Sequence, residues 1–295
     1  MKIMLNPKSL NWRLKYPFRF LFWFIKTKPL GAMGGAIIIT LFIISLFASH
    51  IAPYHPFEQH IENRLSPPNS DFLFGTDTFG RDLFTRIIYG ISTALYVGLV
   101  SVSIATIIGT SIGIASATLG KRIDIILQRV VDGVMAFPSL VLALIIVASF
   151  GTSTFNVGIA ITIVLIPQTI RLARAQALRI QTETYITAAI AIGASPFRII
   201  WRHILPNMVT SIVVLLTGFV GEAVIVEASL SFLGLGIPPP QPSWGRMIQE
   251  GAFLYLETAP WITIIPGLAL SLLVVSFAFL GDAIRDILDP HIQPL

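Results

Sequence analysis

Six stretches of this chain are apolar for long enough to cross a lipid bilayer, at residues 31–52, 91–118, 133–150, 154–176, 207–236 and 260–282. A hydrocarbon core about 30 Å thick needs about 20 helical residues to span it. Backbone amides inside that core find no water, so a spanning segment must satisfy them within itself as a helix. The expected architecture is therefore all-α and polytopic. Composition agrees: 54% of residues are hydrophobic and 12% charged, about half the charged fraction of a soluble domain.

Orientation follows from the positive charges, which gather on the cytoplasmic side. With the N-terminus inside, only Arg64, Arg81, Arg86 and Arg246 of the 20 Lys and Arg residues fall outside. Six spans with both termini cytoplasmic preserve that asymmetry; an odd number would spoil it. The expected division is a basic and aromatic interfacial segment at 1–30, a first span at 31–52 and an extracytoplasmic loop at 53–90. A membrane core at 91–282 and a cytoplasmic tail at 283–295 complete it. The first apolar run has span length and no convincing cleavage site after it, so it reads as an uncleaved anchor and not a signal peptide. The net charge of +5 would suggest nucleic acid in a soluble protein; here it suits anionic lipid.

The chain contains no cysteine, which removes disulfides, thiolate metal sites and thiol nucleophiles. Its five histidines are scattered, and neither a metal-ligand spacing nor a catalytic constellation emerges. "LGKRID", Leu119 to Asp124, has Gly-Lys without the rest of a phosphate-binding loop. The expectation is a chain that is not an enzyme and carries no cofactor.

Between the fourth and fifth spans lies "YITAAIAIGASPFRIIWRHILPN", Tyr185 to Asn207. Ile186, Ala189, Ile190 and Gly193 share a face of a short helix. Gly193 suits its left-handed end, and Ser195 followed by Pro196 suits the start of another. Phe197, Ile200, Trp201 and Ile204 form a second apolar stripe, with Arg198 and Arg202 on a different face. Pro206 is expected to end that second helix, which would lie along the membrane surface. A smooth tip of small residues fits a partner's groove, and an ordinary interfacial loop fits equally. A DNA-reading helix-turn-helix does not fit, because the first helix lacks polar base-reading side chains.

"AAIAIGASPFRIIWRHILPN" resembles the EAA loop of permeases of ATP-binding-cassette (ABC) importers. Ala188, Ala189, Gly193, Leu205 and Pro206 match the pattern, Thr187 stands where it has Glu, and His203 where it has Ile. "FGTDTFGRDLFTRIIYG" (Phe74–Gly90), "DGVMAFPSL" (Asp132–Leu140), "EASLSFLGLGIPPPQPSWGRM" (Glu227–Met247) and "GDAIRDILDP" (Gly281–Pro290) are similar to the DppC/OppC branch, which carries dipeptides, oligopeptides and nickel. The resemblance spans about 31–291. It implies a type I importer fold with residues 185–206 as the coupling loop. It also implies a homologous second permease of the DppB/OppB kind, two cytoplasmic ATPases holding ATP and Mg²⁺, and an extracytoplasmic solute-binding protein. The location implied is a bacterial or archaeal inner membrane. Coupling to the ATPases would fall to Tyr185, Thr187, Ala188, Ala189, Gly193, Ala194, Ser195, Arg198, Arg202 and Pro206. With Thr187 in place of Glu, no carboxylate contact is carried over.

Glu222 and Glu227 sit in the fifth span, where ionisable groups face a cavity or a partner. They line a translocation path, or hold the bundle by hydrogen bonds. In a rival ion-gradient-driven transporter they would form a proton relay. Asp77, Arg81 and Asp82 are candidate contacts for the binding protein, though the spacing of acids and bases with Arg86 also suits a loop that fixes its own fold. Asp132 is expected to pair with Arg129, Pro138 and Pro167 to kink their spans, and Trp244 to act as an interfacial anchor or an outer gate element.

Overall fold

A computed structural model describes residues 17–288 of the chain. Its helices are α1 (Pro17–Thr27), α2 (Pro29–Leu46), α3 (Leu83–Thr118), α4 (Lys121–Met135), α5 (Ser139–Phe150) and α6 (Thr154–Gln181). After them come α7 (Thr184–Ala191), α8 (Pro196–Phe232), α9 (Trp244–Ala252) and α10 (Trp261–Leu288). Among the described residues there is no β-strand. The basic segment before Pro17 and the tail after Leu288 lie outside the described residues.

Five helices are long and apolar enough to cross a membrane: α2, α3, α6, α8 and α10. The expected third span, 133–150, is not one rod. It breaks between α4 and α5 at 85°, so the spans number five, or six where the bent pair counts as one. The cause is Pro138, which has no amide hydrogen to give and pushes Phe137 out of the helical region. It stands at the N-cap of α5 with φ −55° and ψ 130°. The twelve residues of α5 reach about 18 Å, short of the hydrocarbon core. Pro167, by contrast, lies inside an unbroken α6.

The second span starts at Leu83 instead of 91, because Asp82 caps it by accepting a 2.8 Å hydrogen bond from the Thr85 amide. Its 36 residues extend about 54 Å, well past the bilayer core. The fifth span also begins earlier than expected. Pro206 does not end the preceding helix: the chain runs helical from Pro196 to Phe232, with a π-helical stretch at Ile200–Ile204. A proline's missing donor and bulky ring are absorbed where the helix widens to i→i+5 spacing. The Asn207 side-chain amide donates 2.6 Å to the His203 carbonyl, giving that carbonyl a partner.

Lipid tails are as apolar as leucine, so the helices adhere through close packing and not through the hydrophobic effect. α3 and α6 meet along their length, and a Cβ on Gly109 would lie 2.5 Å from Thr169 Cβ. α2 is seated on α10 in the same way, where a Cβ on Gly34 would meet the Ser276 carbonyl at 2.5 Å. The main core fills the space among α3, α5, α6, α8 and α10, with Val102, Ala143, Val157, Leu165, Ala223 and Leu273 fully enclosed. Lys28, ahead of α2, pairs with Asp286 near the end of α10, so these two ends of the chain lie together.

Candidate functional site

The segment formed by α7, its turn and the start of α8 is a knob with one face anchored and the other free. Ile186, Ile199, Ile204 and Met208 are buried against Ile114 of α3 and Ala173, Ala177 and Ile180 of α6. That cluster fastens the knob to one end of the bundle. Its turn has full helix-ending chemistry: the Gly193 amide donates 2.9 Å to Ile190 O, and the Ala194 amide 3.0 Å to Ala189 O. Gly193 takes φ +85° with open space where a Cβ would stand. The turn's conformation, not crowding within the chain, requires glycine there. Ser195 then caps α8 by accepting from the Arg198 amide, and Pro196 occupies its first turn.

The free face differs from the smooth one expected. Ala188 and Thr187 are exposed, but Ala189 is buried at 8% exposure beneath the turn. What protrudes is apolar: Ile192 is 87% exposed, Phe197 70%, Trp201 58% and Ile190 57%. The second stripe is therefore split. Ile204 faces inward and Ile200 partly so, while Phe197 and Trp201 face outward with ring centroids 5.9 Å apart. The π turn rotates the register between them. Tyr185 stands half open beside His203, with ring centroids 6.1 Å apart. Arg198 and Arg202 are exposed and Ala194 half-buried.

Around this knob, polar links invisible in the sequence bind the elements. Arg174 of α6 makes a two-pronged contact with Asp124 of α4, at 2.5 and 2.6 Å. Ser116 donates 2.6 Å to the same carboxylate, and Gln181 donates 3.2 Å to the Ala117 carbonyl. Asp132 has Arg129 at 4.0 Å, as expected, but its closer partner is Arg171 at 2.7 Å.

At the opposite end the charged side chains are largely buried. Asp77, Arg81 and Asp82 are 2%, 5% and 3% exposed, turned inward to hold their own loop. Asp77 accepts from Arg81 Nε at 2.5 Å, Arg81 reaches Glu250 of α9 at 3.1 Å, and Arg86 lies 3.5 Å from Asp77. Arg86 also donates 3.1 Å to the Pro56 carbonyl. Burial pushes the Glu250 carboxyl up, against the opposing pull of Arg81 and Arg86. Trp244 is neither an interfacial anchor nor an exposed gate. It is 2% exposed, donates 3.2 Å to the Ile87 carbonyl, and lies where a Cβ on Gly90 would meet its Nε1 at 2.5 Å.

Glu227 and Glu222 separate clearly. Glu227 is 2% exposed, and one of its oxygens accepts from Ser231 Oγ at 2.8 Å and Ser243 Oγ at 2.9 Å. It ties the end of α8 to the start of α9. Glu222 is half-buried and has no hydrogen bond or ion pair among the described residues. The two carboxylates share no hydrogen bond, so the geometry offers no relay between them. Sequence reading missed Asp124–Arg174 and Glu250 because their partners are distant in the chain. Ile192 and Phe197 were visible as apolar residues in a turn, a signal in its own right.

Residues 105–294 match the family model for the binding-protein-dependent transport system inner membrane component. Residues 21–68 match that for the N-terminal TM domain of oligopeptide transport permease C. The chain is 40% identical over 277 residues to a dipeptide transport system permease protein of Alkalihalophilus pseudofirmus, covering 94% of this chain and 91% of that one. It is 40% identical to a probable D,D-dipeptide transport system permease protein of Escherichia coli, over 92% of this chain and 90% of the relative. A glutathione transport system permease protein of Pectobacterium atrosepticum is 39% identical, over 88% and 86%.

Proposed function

The chain belongs to the family of binding-protein-dependent transport system inner membrane components, and from that premise we propose that its 185–206 knob docks into an ATPase subunit while the bundle passes a peptide. It is a transmembrane permease subunit of an ABC importer. ATP and Mg²⁺ belong to two partner ATPases on the cytoplasmic side, where the knob and both termini lie. A homologous second permease completes the passage, and an extracytoplasmic binding protein delivers the solute in a bacterial or archaeal inner membrane. The peptide assignment rests on the similarity to dipeptide, D,D-dipeptide and glutathione permeases.

The observation that carries the docking assignment is the exposed apolar tip. Ile192 at 87% and Phe197 at 70% stand in water on a turn whose other face is locked into α3 and α6. Such a patch is stable in a monomer only at the cost of hydrating it, and it marks a surface that a partner covers. Once inserted in a groove, the knob transmits displacement because Ile186, Ile199 and Ile204 leave it no slack against the spans. Tyr185, Thr187, Ala188, Gly193, Ala194 and Ser195 shape its rim and turn. Ala189 positions it from beneath, Pro206 lies in the helix that follows the π stretch, and Arg198 and Arg202 flank it with positive charge. Glu222, half-buried and unpaired, is the better path candidate of the two glutamates. Glu227 acts as a strut.

Ile192→Asp tests this. The side chain is too exposed to support the fold, so the thermal midpoint of the purified chain stays unchanged. Recovery of ATPase subunits with the permease falls by about tenfold, equivalent to about 1.4 kcal/mol of lost docking energy. Full recovery of the ATPases, with undiminished solute-stimulated hydrolysis, would overturn the docking assignment. Isolation of the chain as a fully active complex without any ATPase would overturn the importer reading.

A further inference from the structure

The surface of α4 divides into three sectors. Toward the bundle, Val131 is buried, Gln128 donates 3.0 Å to Ser116 Oγ, and Asp124 is held by Arg174. On a second sector Ile123, Ile126, Leu127, Val130 and Val134 recur at helical spacing. Ile126 is 65% exposed and Val130 62%, so this stripe faces away from the rest of the chain. The third sector carries Lys121, Arg122 and Arg129, all exposed. Lys121 and Arg122 have no ion pair among the described residues, and Arg129 approaches Asp132 only at 4.0 Å.

Two observations set this helix across the bundle. α5 packs against α6, with Ala143 and Val147 in the core, and α4 meets α5 at 85°. Asp124 and Asp132 stand about 12 Å apart along α4, while their partners Arg174 and Arg171 are about 4.5 Å apart along α6. α4 therefore crosses α6 steeply. Its depth follows from the same partners. α6 has no charged residue from Thr154 to Ile170, about 25 Å of helix, and Arg171 is its first. Arg171 and Arg174 thus mark where hydrocarbon gives way to headgroups, and Asp132 and Asp124 hold α4 at that depth.

We infer that α4 is an interfacial helix of the knob-side leaflet, with Ile126 and Val130 among acyl chains and Lys121, Arg122 and Arg129 on anionic phospholipid headgroups. A helix lying flat at that depth, with an aliphatic face and a basic flank, is built for such a surface. Each cation there adds about fivefold to the affinity for an anionic leaflet. A protein partner fits the stripe less well, because it holds only aliphatic side chains and none of the aromatic anchors that dominate protein interfaces. The contact reaches the knob from the side: through Asp124 and Arg174 the lipid-held helix braces α6 shortly before its end at Gln181. It stands apart from the docking assignment, which concerns the tip and not the root.

Because the chain has no cysteine, single spin labels report cleanly. In the assembled complex in nanodiscs, Ile126→Cys, Val130→Cys and the control Ile125→Cys carry a nitroxide. Collisions with oxygen, which concentrates among acyl chains, are compared with those of a water-soluble nickel chelate. Ile125 is 48% exposed on the basic side of the helix, so none of the three side chains supports the fold. Oxygen is expected to dominate at 126 and 130, and nickel at 125. The contrast should be larger in phosphatidylglycerol than in phosphatidylcholine, and a variant carrying Lys121→Gln, Arg122→Gln and Arg129→Gln should lose that lipid dependence. Nickel access at 126 and 130 equal to that at 125 puts the stripe in water and overturns the inference. Loss of both kinds of collision at 126 and 130 puts it beneath a protein and overturns it equally. A contrast indifferent to lipid charge, or a lipid dependence that survives the triple variant, overturns the headgroup assignment. A preparation that recovers no ATPase fails the docking assignment but still reports on α4, so the two failures are distinguishable.

Discussion

Glu227 and Glu250 show how burial assigns different work to the same side chain. Glu227 keeps two serine donors on one oxygen, which joins α8 to the start of α9. Glu250 is joined to Arg81 at 3.1 Å, but burial outweighs that attraction and raises its pKa. A carboxylate whose folded pKa lies above its unfolded value stabilises the fold fully below the ordinary carboxylate range. That contribution is lost as pH rises through the folded value. Glu250→Gln therefore leaves the thermal midpoint at neutral pH equal to or above that of the unaltered chain. The difference closes as pH falls into the carboxylate range, and thermal melts at a series of pH values check it. A variant less stable at neutral pH and equal at low pH would show that the Arg81 pair dominates instead.

Individual elements are set by where backbone hydrogen bonds can be kept. α3 and α6 approach so closely that a side chain on Gly113 has no room: its Cβ would sit 2.7 Å from the Ile170 carbonyl and 3.0 Å from the Arg174 amide. Backbone does not yield as a flexible side chain does. Gly113→Leu is expected to destabilise by about 1–3 kcal/mol through overpacking. Gly133→Ala in α4, where a Cβ meets nothing within 4 Å, gains up to about 1 kcal/mol of helix propensity. Paired thermal melts of the two variants in one detergent give the comparison. Position 113 also lies one turn before Ala117, which accepts from Gln181, so the loss reaches the root of the knob. The two proline sites make the same point with opposite results. Pro138 follows a helix end and turns the chain, whereas Pro206 lies where a π stretch absorbs it and the helix continues.

Across the whole molecule the two ends are built from different materials. The end away from the knob is cross-braced by buried charge, by Trp244 on Ile87 and by Trp261, which donates 3.2 Å to the Thr76 carbonyl. Its turns keep their amides paired, with Thr76 donating to Ser66 O, Asp77 to Arg81 O and Leu83 to Gly75 O, each at 3.0 Å. The knob end rests on an aliphatic cluster, and its turn stands in water. Local opening follows packing and solvent access. Hydrogen exchange should therefore be slowest at Thr76, Asp77 and Leu83 and much faster at Ile192 to Arg198 in the isolated chain. Protection at 192–198 should rise when ATPase subunits are added. On the proposed importer reading, that gradient braces the end assigned to the solute and leaves compliant the end assigned to the ATPases.

The sequence by itself determined the all-α membrane class, where the apolar runs lie and the position of the knob, because those depend on short-range chemistry. Runs of apolar residues, the charge asymmetry and the Gly193–Ser195–Pro196 turn are all written within a few residues of where they act. The EAA-like pattern and the "EASLSFLGLGIPPPQPSWG" stretch identified the family on the same terms. Only the tertiary structure decided what each face meets. Ala189 turned inward and Ile192 outward, Asp77 and Arg81 became a buried brace, and the third crossing bent at Pro138. The pairings of Asp124 with Arg174 and of Arg81 with Glu250 belong to this second group. They depend on side chains brought together from distant positions, and helical period fixes the direction of a residue only relative to its own axis. Which neighbour fills that direction is settled by how the helices pack.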